Sequence, residues 1–218
     1  MVIAEAGQGK TYHSHYLAAK MLEDWRTQGH RLPIDIDSRQ WAQLSREDPA
    51  SLSIAKTILH SFRYFRAPLA WVEDHEEEFL RTALRLDLFT LIFDGLDEYV
   101  LWSGRGSAAE TVGGLVEMAR ATTARIIVTS RTTFWMSEVA AVAPEVERHG
   151  TFMFRLRAFD ASHASNYFEQ RLKGPALDRA RNVFRELHKR DATMAGRGFV
   201  LHLVADLFTK DLAATEPQ

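Results

Sequence analysis

Two short stretches of the sequence combine residue types that handle phosphate groups and a divalent cation. The first, AEAGQGKTY, fits the pattern Gly-x-x-x-x-Gly-Lys-[Ser/Thr], except that Ala4 stands where glycine is usual. Glycines let backbone N–H groups turn inward around an anion, Lys10 would supply a cation to the β- and γ-phosphates, and the Thr11 hydroxyl would bind Mg²⁺. We therefore predict a phosphate-binding loop that consists of Ala6, Gly7, Gln8, Gly9, Lys10, Thr11 and Tyr12.

The second stretch, LFTLIFDGLDEY, places three carboxylates directly after an apolar run of strand length. Because ligands of parallel sheets gather beyond the carboxyl ends of the strands, we expect Asp94 to face the same crevice as the phosphate loop. Thr11 and Asp94 are the predicted Mg²⁺ ligands, with Asp94 acting through water. Glu98 is the candidate that orients and deprotonates an attacking water, and Asp97 is a helper or an alternative base. An ordinary acidic turn is the alternative.

A third stretch, ARIIVTSR, repeats this layout of a buried strand followed by small polar residues and then a charged one. From the end of that strand Arg131 could reach a γ-phosphate; the alternative is a solvent-facing cation. Phe134 and Trp135 are more typical of packing residues than of a platform that stacks on a base. His13 and His15 lie two apart on a predicted helix and therefore make a poor metal pair.

Strands and helices alternate along the first two thirds of the chain. RLPIDID, LFTLIFD and ARIIVTS have the length and apolar content of strands. Helical patterns are found in TYHSHYLAAKMLEDWRTQG, PASLSIAKTILHSFRYF, DHEEEFLRTALRL and AAETVGGLVEMARAT. The first of these helices is predicted to bury one stripe, which consists of Leu17, Ala18, Met21, Leu22 and Trp25. The alternation predicts a three-layer α/β fold with a parallel sheet.

The pattern changes near residue 157. TFMFRLRAF is predicted to be the last strand, and only helical patterns follow it, so we predict one domain over 1–157 and a partial helical subdomain over 158–218. At the front, only Val2 and Ile3 precede the phosphate loop, whereas a strand usually has about five residues. The first strand is expected to be truncated, as in a fragment, a trimmed chain or a miscalled start.

The composition argues against several classes of protein. The chain has 218 residues, 46% of them hydrophobic, which is enough for a sizeable core. Lys and Arg number 27 against 29 Asp and Glu, so the basic excess that favours nucleic acid is missing. Cysteine is absent, which excludes disulfides and fits a reducing compartment, and no run approaches the ~18 apolar residues of a membrane span. We expect a cytoplasmic protein without membrane or nucleic-acid partners.

Taken together, AGQGKT, LIFDGLDE and IIVTSRTTFW resemble the NACHT family of STAND-type P-loop NTPases, the nucleotide switches of NLR-like immune receptors. RLPIDID and FRLRAFDASHASNYFEQRL are similar to the second strand and to the entry of the helical lid in that family. The resemblance implies a slow, Mg²⁺-dependent ATPase. In such a protein ADP holds a closed monomer, and exchange for ATP opens it and lets it self-associate.

The resemblance also implies roles for individual residues. Phosphate would be bound by Gly7, Gly9, Lys10 and Thr11. Asp94 would bind Mg²⁺, Glu98 would support hydrolysis, and Arg131 would sense the γ-phosphate. Effector and sensor domains would lie outside this segment, and bacterial members of the family are linked to antiphage defence.

One feature departs from the family, and two other functions stay open. Family members commonly have a proline in the helical lid that packs on adenine, whereas Gly198 and Phe199 stand at the matching place here. The first alternative function is a nucleotide-bound scaffold that hydrolyses weakly and acts by oligomerisation. The second is a motor-like ATPase of the AAA+ type, for which the sequence offers no identifiable arginine finger.

Overall fold

The structure, a computed structural model, divides the chain into two compact units. The described residues are 1–38, 42, 76–103, 108–139, 146 and 152–215. One unit consists of Met1–Ala4 and Lys10–Arg155, and the other consists of Glu5–Gly9 and Leu156–Gln218. The helix predicted for PASLSIAKTILHSFRYF lies outside the described residues.

The first unit contains a five-stranded parallel sheet. Its strands are β1 (Val2–Ala4), β2 (Leu32–Asp37), β3 (Phe89–Asp94), β4 (Arg125–Arg131) and β5 (Phe154–Arg155). They lie in the order β2-β3-β4-β1-β5, so β4 separates the strand before the phosphate loop from the strand that ends in Asp94. Parallel strands require crossover connections, and the described parts of these connections contain helices, which confirms the predicted α/β fold.

In the described ranges of this unit, four helices flank the strands. They are α1 (Lys10–Gln28), α2 (Glu76–Arg85), α3 (Leu96–Ser103) and α4 (Ala108–Ala121). After β4 the chain forms a helical turn over Thr132–Phe134 and a π-helix over Trp135–Val139. None of the helices in the described ranges is long and apolar enough to cross a membrane.

One face of the sheet forms the main core of the first unit. Alternate residues of a strand share a face, so Ile34, Leu91 and Phe93 point to the same side. They pack in one cluster with Leu80 of α2 and with Trp135, all of which are nearly inaccessible to solvent. Each fully buried side chain of this kind contributes roughly 1.5–3 kcal/mol to folding. Trp135 is therefore a packing residue, as expected.

The opposite face of the sheet is polar towards the strand ends and lies under α1. Asp35 of β2 points to this face, and its Oδ2 lies 3.2 Å from Nε2 of His15 in α1. Ser14 is the buried residue of the helix, while Leu17 and Trp25 are 36% and 41% exposed. The predicted buried stripe is wrong for these two residues, because the helix lies on a partly polar surface that an apolar stripe does not match.

The second unit is helical in its C-terminal part. Its helices are α5 (Ala161–Arg171), α6 (Gly174–Arg190) and α7 (Gly198–Thr215), with a single turn over Ala192–Ala195 before the last. Phe168, Phe184 and Leu201 meet in a second core. The local sequence explains where these helices begin and end. The Asp160 side chain caps α5 by accepting a hydrogen bond from the His163 N–H over 2.9 Å. The helix α6 has a proline in its first turn and basic residues in its last turn.

The last strand of the sheet is shorter than predicted. TFMFRLRAF was expected to form it, but β5 covers only Phe154–Arg155. The reason is its partner: β5 pairs with β1 through Val2 and Ile3, and β1 itself has only three residues. A strand at the edge of a sheet cannot extend its ladder beyond the neighbour that it pairs with.

A prediction about stability follows from the turn before β3. Asp87 has a left-handed backbone, with φ of 57°, and its two carboxylate oxygens pair with the Arg31 guanidinium. Asp87→Asn should lower the free energy of unfolding by about 0.5–1 kcal/mol, because it loses the ion pair but tolerates the backbone. Asp87→Ala should cost about 1 kcal/mol more, because alanine is strained there. Urea titrations at neutral pH measure both effects.

The pH dependence of these variants distinguishes charge from shape. Hydrogen bonds from Arg31 lower the pKa of Asp87 below its ordinary value. The stabilisation is therefore fully present above about pH 4 and is lost as the pH falls through the lowered pKa. The wild type and Asp87→Asn should converge in stability under acidic conditions. A difference that persists unchanged at low pH would show that the ion pair is not its cause.

Candidate functional site

The predicted site residues of the first unit lie at the carboxyl edge of the parallel sheet. In the strand register, Ala4 at the end of β1 lies beside Arg131 of β4, and Phe93 of β3 lies beside Val128. Neighbouring strands are about 4.8 Å apart, so β1 and β3 are about 10 Å apart across β4, and their last residues differ by two positions along the sheet. The strand that leads into the phosphate loop and the strand that ends in Asp94 therefore stop at one edge.

The N-terminus of α1 brings Lys10 and Thr11 to this edge. Only residues 29–31 connect α1 to the start of β2 at the opposite edge, so the 19-residue helix must begin at the carboxyl edge. The first turn carries no acidic side chain, which leaves the positive end of the helix dipole uncompensated. Lys10 is half-buried, and none of the described residues forms an ion pair with it. These features favour an anion at this end of α1.

Asp94 is held by the neighbouring strand. The Thr129 hydroxyl of β4 donates to Asp94 Oδ1 over 2.5 Å and accepts the backbone N–H of Gly95 over 2.9 Å. Thr129 is 2% exposed, so these hydrogen bonds are shielded from water. The turn after β3 is also tightly packed, because a Cβ on Gly95 would lie 2.8 Å from the Ser38 hydroxyl. The carboxylate is therefore fixed at the strand end by its surroundings.

Arg131 and the second acidic pair form an ionic cluster at the end of β4. Asp97 is 2% exposed, and its Oδ1 accepts the backbone N–H of Arg131 over 3.1 Å. Its Oδ2 lies 2.9 Å from Arg131 Nε, but the N–H is not aligned with it, so this oxygen has an ion pair and no hydrogen bond. The guanidinium, 45% exposed, also lies 3.9 Å from Glu98 Oε1. Arg131 is thus anchored at one end and accessible at the other.

The loop residues Glu5–Gly9 belong to the second unit. Gly7 and Gly9 have φ values of 77° and 85°, the left-handed region in which L side chains are strained. The Gln8 side chain is buried and its Oε1 accepts the Glu5 N–H over 2.8 Å, so Gln8 braces the loop internally. The Gly7 carbonyl accepts the Phe199 N–H at the start of α7 over 3.1 Å. Ala6 is exposed.

A comparison of the sequence with protein families identifies the domain. A family model of the NACHT domain matches residues 1–175. The chain belongs to the NACHT family. It is therefore a nucleotide-binding NTPase module of the P-loop class, as its motifs and fold indicated. No curated protein matches the chain.

The predicted site residues at the carboxyl edge of the sheet are called here the NACHT site. Their donor atoms suit Mg²⁺, which prefers a few hard oxygen ligands and keeps several waters. A carboxylate from Asp94 and a hydroxyl from Thr11 are available at the same edge of the sheet. In the described part of the chain, no three acidic or histidine side chains cluster to form a metal site by themselves. A metal ion at this edge would accordingly share its coordination between the protein, waters and a nucleotide.

Another half-buried carboxylate lies near the NACHT site. Burial raises the pKa of Asp35 above its ordinary value, and the negative charges of Asp94 and Asp37 add to this, while His15 opposes it. One oxygen of Asp35, Oδ1, is buried without a hydrogen bond. The helix α1 therefore places a histidine ring beside this carboxylate, and only the protonated form of that ring offsets negative charge on this face of the sheet.

A separate apolar cavity of about 620 Å³ lies in the first unit. Val112 and Leu115 of α4, Trp135 and Phe154 contribute to its walls. None of the predicted site residues lines it. The chemistry of the NACHT site is therefore concentrated at the sheet edge rather than in this cavity.

The structure adds residues that the sequence did not single out. They are Thr129 and Ser38, which contact the turn after β3. Gln8, a predicted loop residue, has its side chain inside the loop, where it accepts the Glu5 N–H. The signal for Thr129 was present in ARIIVTSR, because a threonine two residues before Arg131 must share its face of the strand. Tyr12, a predicted nucleotide contact, is 71% exposed.

The buried contact of Asp97 with Arg131 predicts a measurable coupling. Arg131→Met should lower the free energy of unfolding by about 2 kcal/mol, because it leaves an uncompensated charge at Asp97. In the double variant with Asp97→Asn that charge is gone, so the two effects should fall short of additivity by about 1 kcal/mol. Urea unfolding of the four proteins gives the interaction energy.

Arg125 provides the matched control for this cycle. It is an exposed arginine on the same face of the same strand, at the opposite edge of the sheet. Arg125→Met should change stability by less than about 0.5 kcal/mol and should be additive with Asp97→Asn. Strict additivity between Arg131→Met and Asp97→Asn would contradict the described ion pair.

Proposed function

We propose that this NACHT domain binds ATP and ADP together with Mg²⁺, hydrolyses ATP slowly and uses the exchange of the two nucleotides as a conformational switch that controls self-association. The observation that carries the proposal is the meeting of the α1 N-terminus, Asp94 and the anchored Arg131 at one edge of the sheet. A site for a nucleoside triphosphate requires a cation, a carboxylate that binds the metal ion and a guanidinium that contacts the γ-phosphate. Lys10, Asp94 and Arg131 would supply these groups.

The phosphate groups would be held by residues that follow one another along the chain. The backbone N–H groups of Ala6, Gly7, Gln8 and Gly9 would form the anion-binding turn. Lys10 would contact the β- and γ-phosphates, which is consistent with its lack of an ion-pair partner among the described residues. Tyr12 is exposed on α1 and is retained only as a peripheral contact.

Thr11 and Asp94 would hold the metal ion, with Asp94 acting through water. Bound Mg²⁺ would neutralise charge on the β- and γ-phosphate oxygens. Glu98, in the first turn of α3, would orient the attacking water and accept its proton. Asp97 has both carboxylate oxygens against Arg131, so we assign it to holding that arginine instead of to proton transfer.

Arg131 would connect the nucleotide to the rest of the domain. Its backbone lies beside Ala4 at the end of β1, and its guanidinium lies 3.9 Å from Glu98 Oε1, so a bound γ-phosphate would compete with Glu98 for this cation. If hydrolysis changed the contact between Arg131 and Glu98, it would change the interactions that hold α3 against β4. A switch that is almost wholly closed in one state and open in the other requires a differential affinity of about 5.5 kcal/mol. Nucleotide exchange combined with a binding partner could supply it.

The wider biological role rests on the family. We propose a cytoplasmic function in immune or antiphage defence signalling, with effector and sensor domains outside this segment. A nucleotide-bound scaffold with weak hydrolysis is the second candidate. The position of Arg131 favours it, because a Glu98 side chain whose Oε1 lies 3.9 Å from the guanidinium is less free to orient a water. None of the described contacts favours an AAA+-like motor.

Lys10→Ala tests nucleotide binding. The variant should lose ATP and ADP binding altogether in isothermal titration calorimetry, because the phosphates lose their principal cation. Lys20→Ala is the matched control: Lys20 is on the same helix, 56% exposed and paired with Glu23, so its removal should leave binding unchanged. Tight binding by the Lys10 variant would rule out the assigned phosphate site.

Glu98→Gln separates the ATPase from the scaffold. Phosphate release should fall to background in this variant, while ATP remains bound, because the amide keeps the shape of the side chain but cannot accept a proton. Glu117→Gln, at an exposed residue of α4, should retain wild-type turnover. Equal turnover in the wild type and Glu98→Gln would remove Glu98 from the mechanism, and a wild type without turnover would favour the scaffold.

A further inference from the structure

The Thr129 hydroxyl has a hydrogen-bonding arrangement with only one assignment of its proton. The backbone N–H of Gly95 can only donate, so the Thr129 oxygen must accept from it, over 2.9 Å. The single hydroxyl proton is then directed at Asp94 Oδ1, 2.5 Å away. Both roles of the hydroxyl are used, and its partners are the last residue of β3 and the residue that follows it.

This arrangement determines which oxygen of Asp94 remains available. Oδ1 accepts the Thr129 proton, whereas the described residues provide no hydrogen bond to Oδ2. A carboxylate anchored through one oxygen keeps its orientation, and its other oxygen can accept from a metal-bound water. Partners that orient a metal-binding carboxylate in this way typically change metal affinity 10- to 100-fold when they are removed.

The position of Thr129 in the sheet makes the anchor rigid. It lies in β4, beside Val2 of β1 in the strand register and next to the end of β3 on the other side. A residue in a strand with neighbours on both sides is held more precisely than one in a loop. Arg131 lies two residues further along the same face, so β4 fixes both the metal-binding carboxylate and the arginine.

We propose that Thr129 is a positioning residue for the metal ion: its hydroxyl orients Asp94 and thereby sets the affinity for Mg²⁺ in the nucleotide complex. This inference rests on the proposed function of the same site. It assigns to β4 a direct influence on metal binding that is separate from phosphate sensing by Arg131.

The test is a Mg²⁺ titration of the full chain with a saturating non-hydrolysable ATP analogue, followed by calorimetry rather than by turnover. Thr129→Val keeps the size of the side chain and removes the hydroxyl, so the Mg²⁺ concentration at half-saturation should rise 10- to 100-fold. Affinity for the analogue in the presence of a chelator should not change. Thr129→Ser retains the hydroxyl and should restore the wild-type midpoint.

Thr90→Val is the matched control. Thr90 is also buried, on the same face of the neighbouring strand β3, and its hydroxyl has no hydrogen-bond partner in the described part of the chain. The same chemical change there should leave the Mg²⁺ midpoint at the wild-type value. A shift of equal size in both valine variants would attribute the effect to general loosening of the sheet and would overturn the inference.

The remaining outcomes separate this inference from the proposed function. If the wild type binds the analogue with Mg²⁺ and Thr129→Val has the same midpoint, the inference is wrong while the nucleotide site stands. If the wild type binds no nucleotide, the proposed function fails and the inference fails with it. Thr129→Ala replaces the valine variant if the latter does not fold. Failure of both to fold would also overturn the inference, since the hydroxyl would then serve the fold.

Discussion

The contacts between the end of β4 and the turn after β3 hold the proposed site together. Thr129 binds Asp94 and Gly95 by side-chain hydrogen bonds, and Arg131 binds Asp97 through its backbone and its charge. A buried carboxylate such as Asp97 is tolerated only with a partner, because an unpaired charge in the interior costs several kcal/mol. The geometry of the acidic turn therefore depends on β4 being its neighbour in the sheet.

The sheet order explains how distant parts of the sequence come to share one edge. Because all five strands are parallel, their carboxyl ends, and the helix that starts after β1, lie on the same side. With β4 between β1 and β3, Arg131 stands between the start of the phosphate loop and Asp94. A cation at that position can respond to both a phosphate and a carboxylate, as the proposed nucleotide-controlled switch would require.

Much of the fold could be predicted from the sequence, because apolar runs and helical periodicity report local preferences directly. FTLIFD forms a buried strand as expected, and RIIVTSR forms a strand that is buried from Val128 to Ser130. The wrong predictions concern contacts with other parts of the chain, which local sequence patterns do not report. The helical pattern predicts Leu17 and Trp25 in a buried stripe, but both are exposed because the sheet face beneath α1 is partly polar. The length of β5 was set by the three residues of β1.

The residue types of the site were predictable, because phosphate and Mg²⁺ demand particular groups at fixed spacing. Their contacts were not, since the role of Thr129 and the pairing of Asp97 depend on strand order. The central claim is that one Mg²⁺–triphosphate occupies this edge, and a crystal structure with Mg²⁺ and a non-hydrolysable ATP analogue tests it most directly. We expect the γ-phosphate within hydrogen-bonding distance of Lys10 and Arg131, and the metal ion between Thr11 and Asp94. A nucleotide bound elsewhere, or an Asp94 turned away from the metal ion, would contradict the account.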